Sequence, residues 1–133
     1  MAEEKLQLLE VVTPERKVYS QEVRFVVVPG SEGELGFLPE HAALVSAVKV
    51  GLVRVHHEGK ITKIAVSGGF VEVRNSRVTI LANSAEREDQ IDVKRAEAAK
   101  ERAERRLQGG GDIDTLRAEA ALKRAINRLK AVS

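Results

Sequence analysis

The sequence predicts an α+β protein, with a β-sandwich of short strands over residues 1–84 and an antiparallel two-helix hairpin over residues 85–133. Three observations carry this. The composition breaks near residue 85: all four aromatics (Tyr19, Phe25, Phe37 and Phe70), all three prolines and most β-branched residues precede it. The first part consists of short, often alternating apolar stretches parted by turn residues, which is the pattern of half-buried strands. The last part repeats itself, since "IDVKRAEAAKERAERRL" (91–107) and "IDTLRAEAALKRAINRL" (113–129) are identical at 11 of 17 positions at a shift of 22 residues.

In chain order, the expected strands lie in "LQLLEVV", "EVRFVVV", "GLVRVHH", "ITKIAVS", "FVEVR" and "RVTILA". The segments "TPE", "PGSEGELG", "HEGK", "SGG" and "NS" read as the turns between them, and "SGGF" (67–70) as a bend where strands meet or another backbone approaches. In "FVEVRNSRVTI" the pairs Val71/Val73 and Val78/Ile80 fall on one face of a hairpin that turns at Asn75 and Ser76. Many short strands at regular intervals favour a sandwich.

From Asp89 onward the β-formers nearly vanish, and nine alanines stand among 45 residues with arginine, lysine, glutamate and leucine, all good helix formers. Three consecutive glycines at 109–111 interrupt the repeat. Glycine is poor inside a helix and favourable just past its end, so two antiparallel helices are expected rather than one rod. Asp89 or Asp92 can cap the first helix, and Asp112 or Asp114 the second. Spacings of three and four set Ala96, Ala99, Ala103 and Leu107 against Ala118, Ala121, Leu122, Ala125 and Leu129. A methyl buries little area, about 0.8 kcal/mol per group, so such a seam is weak. The residues alone leave two readings open: a hairpin that opens at a glycine hinge, and a fixed pair docked on the sandwich.

Composition bounds the function. With 22 basic and 20 acidic residues among 133, the formal charge of +2 is too small for a general nucleic-acid field. There is no cysteine, hence no disulfide or thiolate chemistry, and no apolar run reaches the roughly 20 residues of a membrane span. These features predict a soluble, cytosolic chain. A phosphate loop requires a strand before the glycines and Lys-Ser/Thr after them; here a helix precedes and Asp-Ile-Asp follows. Ser67 is not in a Gly-x-Ser-x-Gly elbow, and the neighbours His56 and His57 point to opposite strand faces, which disfavours a metal site. No catalytic constellation emerges.

The patterned polar groups are arginines. Arg95 and Arg102 share one helical face, and Arg117, Arg124 and Arg128 another, so a hairpin can gather guanidinium forks for phosphates or carboxylates. The alternative is a solvated face, with Glu97 to Lys100, Glu101 to Arg105 and Glu119 to Lys123 as intrahelical pairs. Residues 115–133 hold five basic groups against one acid, which suits an acidic partner.

"GSEGELGFLPEHAALVSAVKVG" (30–51), "AVSGGFVEVRNSRVTILA" (65–82), "IDVKRAEAAKERAERRL" and "ALKRAINRL" resemble, in order and over essentially the whole chain, the epsilon-subunit family of bacterial F-type rotary ATP synthases. The resemblance implies a ten-stranded sandwich joined to a movable two-helix domain in a non-catalytic rotor subunit. The sandwich would bind the gamma subunit and the c-ring, with Glu34 facing the ring and Ser31, Glu32 and His41 near the same end. The helices, folded, would permit turnover. Extended along gamma toward the alpha and beta subunits, they would inhibit ATP hydrolysis, with Lys123, Arg124, Arg128 and Lys130 meeting acidic segments. The family pattern Ile/Leu-Asp-x-x-Arg-Ala is matched by Ile91, Asp92, Arg95 and Ala96, with Glu86, Arg102, Arg124 and Arg128 at the accompanying positions. This implies ATP as a regulatory ligand of the folded hairpin, with no obligate cofactor and no need for magnesium. The implied location is the cytoplasmic face of the bacterial plasma membrane, reached only through the complex. The rival reading is a basic helical adaptor for nucleic acid or an acidic protein. Against it, the basic face of the last helix lacks aromatic or Asn/Gln base readers, and the acids of the first helix oppose a polyanion.

Overall fold

A computed structural model describes residues 5–109 and 114–133. Among these, eight strands precede two helices: β1 (Gln7–Val12), β2 (Lys17–Val23), β3 (Phe25–Gly30), β4 (Gly33–Phe37), β5 (Leu44–His57), β6 (Lys60–Arg74), β7 (Arg77–Ala82) and β8 (Ala85–Arg87). A 3-10 turn at Glu88–Gln90 leads into α1 (Val93–Gly109) and α2 (Thr115–Ala131). The strands bond in the order β2-β1-β7-β6-β5-β3-β4, with β8 against β6.

The two long strands shape the sandwich. The second half of β6 pairs with β7 from Gly69 to Arg74, whereas its first half pairs with β8 from Ile64 to Val66. Between them Gly68 and Gly69 take φ of +100° and +136°, conformations that side-chain-bearing residues rarely adopt, and the strand bends without breaking. Beside the bend, β5 pairs Val48 with Gly69 and Val50 with Ser67, skipping Lys49. Eight strands stand among the described residues where the family resemblance implied ten: "GLVRVHH" is the second half of β5, and "ITKIAVS" and "FVEVR" are the halves of β6. The "SGG" is not a turn between two strands but the expected bend, with the Leu81 backbone close against Gly69.

Three other sequence-level assignments shift. Only Ser31 and Glu32 of "PGSEGELG" form a turn, because Gly30 pairs with Gly33 and Leu35 and Phe37 then point into the core. "EVRFVVV" splits at Arg24, where the chain leaves β1 to pair with β5. The buried Gln7 holds this corner, its Nε2 donating to the carbonyls of Phe37 at 2.7 Å and Arg24 at 3.2 Å. The sheet also continues past residue 84 through β8. The hairpin expected at Asn75 and Ser76 is present, with φ of 50° and 55° and with Val71 opposite Ile80 and Val73 opposite Val78, all buried. On the outer face Glu10 accepts from Lys17 at 2.6 Å, and that hydrogen bond holds its carboxyl below the ordinary range.

Both helices start at an aspartate: Asp92 Oδ1 accepts from the Arg95 N–H at 3.0 Å, and Asp114 Oδ1 from the Arg117 N–H at 3.1 Å. Asp89 sits in the 3-10 turn instead, and Gly110, Gly111 and Asp112 lie outside the described residues. The alanine seam forms as expected. Ala96, Ala103, Ala118 and Ala125 are buried, with Ala99, Leu107, Ala121, Leu122 and Leu129 half-buried around them. The expected pairs Glu97–Lys100, Glu101–Arg105 and Glu119–Lys123 do not appear among the described ion pairs, because holding two long exposed side chains together gains little over hydration.

A Cβ on Gly69 would stand 2.0 Å from the Leu81 carbonyl oxygen, while one on Gly59 would meet nothing within 4 Å. Gly69→Ala is expected to lower unfolding stability by about 3 kcal/mol, against about 1 kcal/mol for Gly59→Ala, compared by urea midpoints. Equal midpoints would show that the bend does not require glycine.

Candidate functional site

A cavity of about 410 Å³ opens between the start of α1, β8 and the last turns of α2. Asp92, Arg95, Ala96, Ala99 and Arg102 follow one another at three- and four-residue steps, so they share one face of α1. Ala96 and Ala99 keep that face low, and the guanidinium groups stand on either side of it. Arg128 enters from α2 and Glu86 from β8; the Arg128 Nε donates to Glu86 Oε1 at 2.5 Å. Gln90 completes the wall from the 3-10 turn. The cavity therefore combines three cations with two carboxylates. Both carboxylates are engaged, Glu86 by Arg128 and Asp92 by the helix N-terminus, whereas Arg95 and Arg102 have no ion-pair partner among the described residues.

Six of the eight residues expected here thus converge: Glu86, Asp92, Arg95, Ala96, Arg102 and Arg128. Ile91 does not line the cavity. It is buried beneath the helices with Ala65, Ala131 and Leu52, where its apolar side chain is shielded from water. Arg124 lies one helical turn before Arg128 and lines an adjoining crevice with Ser67, Ser84 and Asn127. Arg117 falls at the far end of the hairpin, beside Arg106 and Asp114. Sequence reasoning missed Gln90, and also Asn127, which is buried although polar. The available signal for Asn127 was a lone amide within the alanine and leucine pattern of α2.

The residues expected at the foot of the sandwich are divided. Ser31 and Glu32 are exposed in the β3–β4 turn, and Glu34 is exposed on β4, where its carboxylate accepts from Arg54. His41 follows the other end of β4. Its Nδ1 lies 2.8 Å from the Ala42 carbonyl, and its ring meets the Phe37 ring edge-on at 5.0 Å. Lys123 and Lys130, seven residues apart on α2, both face solvent.

A separate apolar surface lies on the outer face of β5, β6 and β7. Phe70 is cross-strand partner to both Ala47 and Leu81, with Val45 two residues along β5 from Ala47. Val45, Phe70 and Leu81 are 67%, 59% and 55% exposed. Glu72, Arg74, Arg77 and Thr79 form a polar margin beside them.

Two family models account for the chain: "ATP synthase, Delta/Epsilon chain, beta-sandwich domain" matches residues 6–88, and "ATP synthase, Delta/Epsilon chain, long alpha-helix domain" matches residues 89–133. The ATP synthase epsilon chain of Desulforamulus reducens is 63% identical over 107 residues, covering 80% of this chain and 81% of that one. The epsilon chain of Pelotomaculum thermopropionicum is 59% identical over 104 residues, covering 78% of each. Among solved structures, a chain of the Euglena gracilis mitochondrial ATP synthase superposes with a TM-score of 0.81 at 24% identity, covering 96% of this chain and 82% of that one, a likeness of fold. The sandwich, the helical pair and these relatives agree that the chain belongs to the delta/epsilon chain family of ATP synthases, as a non-catalytic, epsilon-type subunit.

Proposed function

We propose that this chain couples the catalytic head of a bacterial proton-translocating ATP synthase to its c-ring and restrains ATP hydrolysis through its helical pair, which binds ATP when folded. The observation that carries the nucleotide reading is the cavity where Arg95 and Arg102, which have no ion-pair partner among the described residues, stand opposite Arg128 on the other helix. A triphosphate needs several fixed donors, and guanidinium forks supply them in pairs. The Glu86 and Asp92 carboxylates can accept from an amino or hydroxyl group of the nucleoside. Charge neutralisation then falls to the arginines, without magnesium. ATP touching both helices stabilises the closed pair by about 2.7 kcal/mol at a hundredfold excess over Kd, and acts as a regulator rather than a substrate.

Without nucleotide the weak seam lets the helices separate. The exposed Lys123 and Lys130, with Arg124 and Arg128 released from the sheet, can then engage acidic segments of the alpha and beta subunits while the helices extend along gamma. Docking on gamma is assigned to the Val45, Phe70 and Leu81 face, whose apolar centre and charged margin have the composition of a protein interface. The β3–β4 turn, with Ser31, Glu32 and Glu34, is offered to the c-ring, with His41 at the other end of β4. Attachment to the cytoplasmic face of the membrane follows from these contacts.

Calorimetric titration of the isolated chain with ATP should give saturable binding, weakened tenfold to a hundredfold in Arg102→Ala, the loss expected for a charged hydrogen-bond donor. Equal affinities would remove the nucleotide assignment. Added to epsilon-depleted ATP synthase, the full chain should suppress ATPase activity, and a chain ending near residue 87 should bind without suppressing it. Suppression by both would place inhibition in the sandwich. Phe70→Asp should weaken association with gamma by at least about tenfold in a pull-down titration while its thermal transition stays near that of the parent, since Phe70 is exposed. Undiminished binding would move the gamma contact elsewhere.

A further inference from the structure

The helical pair meets the sandwich chiefly through α2, whose last turns lie over β5 and β6. Most of that contact is apolar and non-directional: Ala131, fully buried, packs with Ala65, Leu52 and Ile91. The directional contacts are few: Arg128 reaches Glu86 on β8, Lys63 donates to the Ser133 carbonyl, and the Asn127 amide bridges β5 and β6. Asn127, 8% exposed, donates from Nδ2 to the Gly51 carbonyl at 2.8 Å and to the Val66 carbonyl at 3.3 Å. Gly51 and Val66 are direct partners across β5 and β6, so one amide spans two strands.

Alanine and leucine surfaces tolerate sliding and rotation, but two hydrogen bonds from one amide do not. Advancing α2 by a single residue shifts it about 1.5 Å and turns it about 100°, which carries Asn127 away from both carbonyls. The next residue is Arg128, which reaches Glu86 and the cavity. The position of that guanidinium therefore depends on where the amide seats.

We propose that Asn127 is the positioning residue of the nucleotide site: an amide latch that holds α2 in one register on β5 and β6 and so sets Arg128 in place before any ligand arrives. This rests on the nucleotide reading given above; the latch itself does not. In the closed state, replacing the amide with an apolar group strands two carbonyls away from water. In the open state the same carbonyls are hydrated and the replacement costs little. The substitution thus shifts the population toward the open state, and apparent nucleotide affinity falls by the same factor as the closed fraction.

The test uses the full chain with Asn127→Leu, and Asn127→Ser as a smaller variant should the first fail to fold. Without nucleotide, amide exchange followed by mass spectrometry should quicken about tenfold or more over residues 115–131, while residues 60–74 keep their protection. With ATP the apparent Kd should rise on the order of tenfold. It should return to the parent value when α2 is stapled to the sheet through Ala65→Cys and Ala131→Cys, an oxidation that is unambiguous because the chain has no cysteine of its own. Unchanged exchange in α2 overturns the latch. Faster exchange with unchanged ATP affinity, or affinity that the staple fails to restore, overturns the positioning role. A parent chain that does not bind ATP defeats the nucleotide reading and the positioning role with it, and the exchange measurement still decides the latch.

Discussion

The bend of β6 at Gly68 and Gly69 governs the geometry of everything that follows it in the chain. Because the strand turns there, its second half runs beside β7 while its first half is left free to take β8 as a partner. That pairing carries Glu86 to the place where Arg128 reaches it. The same first half of β6 presents the Val66 carbonyl to Asn127 and Ala65 to Ala131. A straight β6 would continue past β7 and leave no second layer to support the helices. The close approach of Gly69 to the Leu81 carbonyl, which excludes any side chain, is thus the local condition for the cavity lined by Glu86 and Arg128.

The helical pair is held by two kinds of force with different consequences. The four buried alanines of the seam contribute about 3 kcal/mol in all at the usual value for a buried methyl, before the half-buried Leu107, Leu122 and Leu129 are counted. That is close to the roughly 2.7 kcal/mol that a ligand at a hundredfold excess over its Kd can add. When the intrinsic and ligand terms are of similar size, occupancy can decide the state, which a leucine-filled seam would prevent. The polar contacts to the sheet add little net free energy once their hydration is subtracted, but they specify a single closed arrangement. Weak apolar glue with a few directional contacts therefore specifies one folded register without holding it by a large apolar core.

What the sequence disclosed depended on how local the physics was. The turn at Asn75 and Ser76, the capping aspartates Asp92 and Asp114, and the alanine seam are decided within a few residues, and all were legible. β4 was not, because "GELG" looks like a loop until Gly30 and Gly33 pair across the turn. The split at Arg24 reflects a change of partner strand, which no window of seven residues contains. In the cavity, Asp92, Arg95, Ala96 and Arg102 stand together because their spacing puts them on one face of α1. Ile91 and Arg124 were displaced because the cavity is built from three separate elements, and only their packing decides which neighbouring side chain turns inward. Asn127 escaped notice for the same reason: its partners are backbone carbonyls 76 and 61 residues away in sequence.

The internal repeat supplies a comparison within the one chain. The first copy places Asp92, Arg95 and Ala96 in the cavity; the second places Asp114, Arg117 and Ala118 at an open crevice beside Arg106, while Ile113 lies outside the described residues. Both aspartates cap their helices with nearly equal geometry, so the local structure of the two copies is the same. Their surroundings differ. The first copy begins where β8 and the end of α2 converge, which supplies Glu86 and Arg128 and shields the site on two sides. The second begins at the far end of the hairpin, where only α1 stands opposite and the arginines face water. An Asp-x-x-Arg-Ala motif on a helix is therefore a set of donors and acceptors awaiting walls, and what encloses one copy in a cavity is the sheet beneath it.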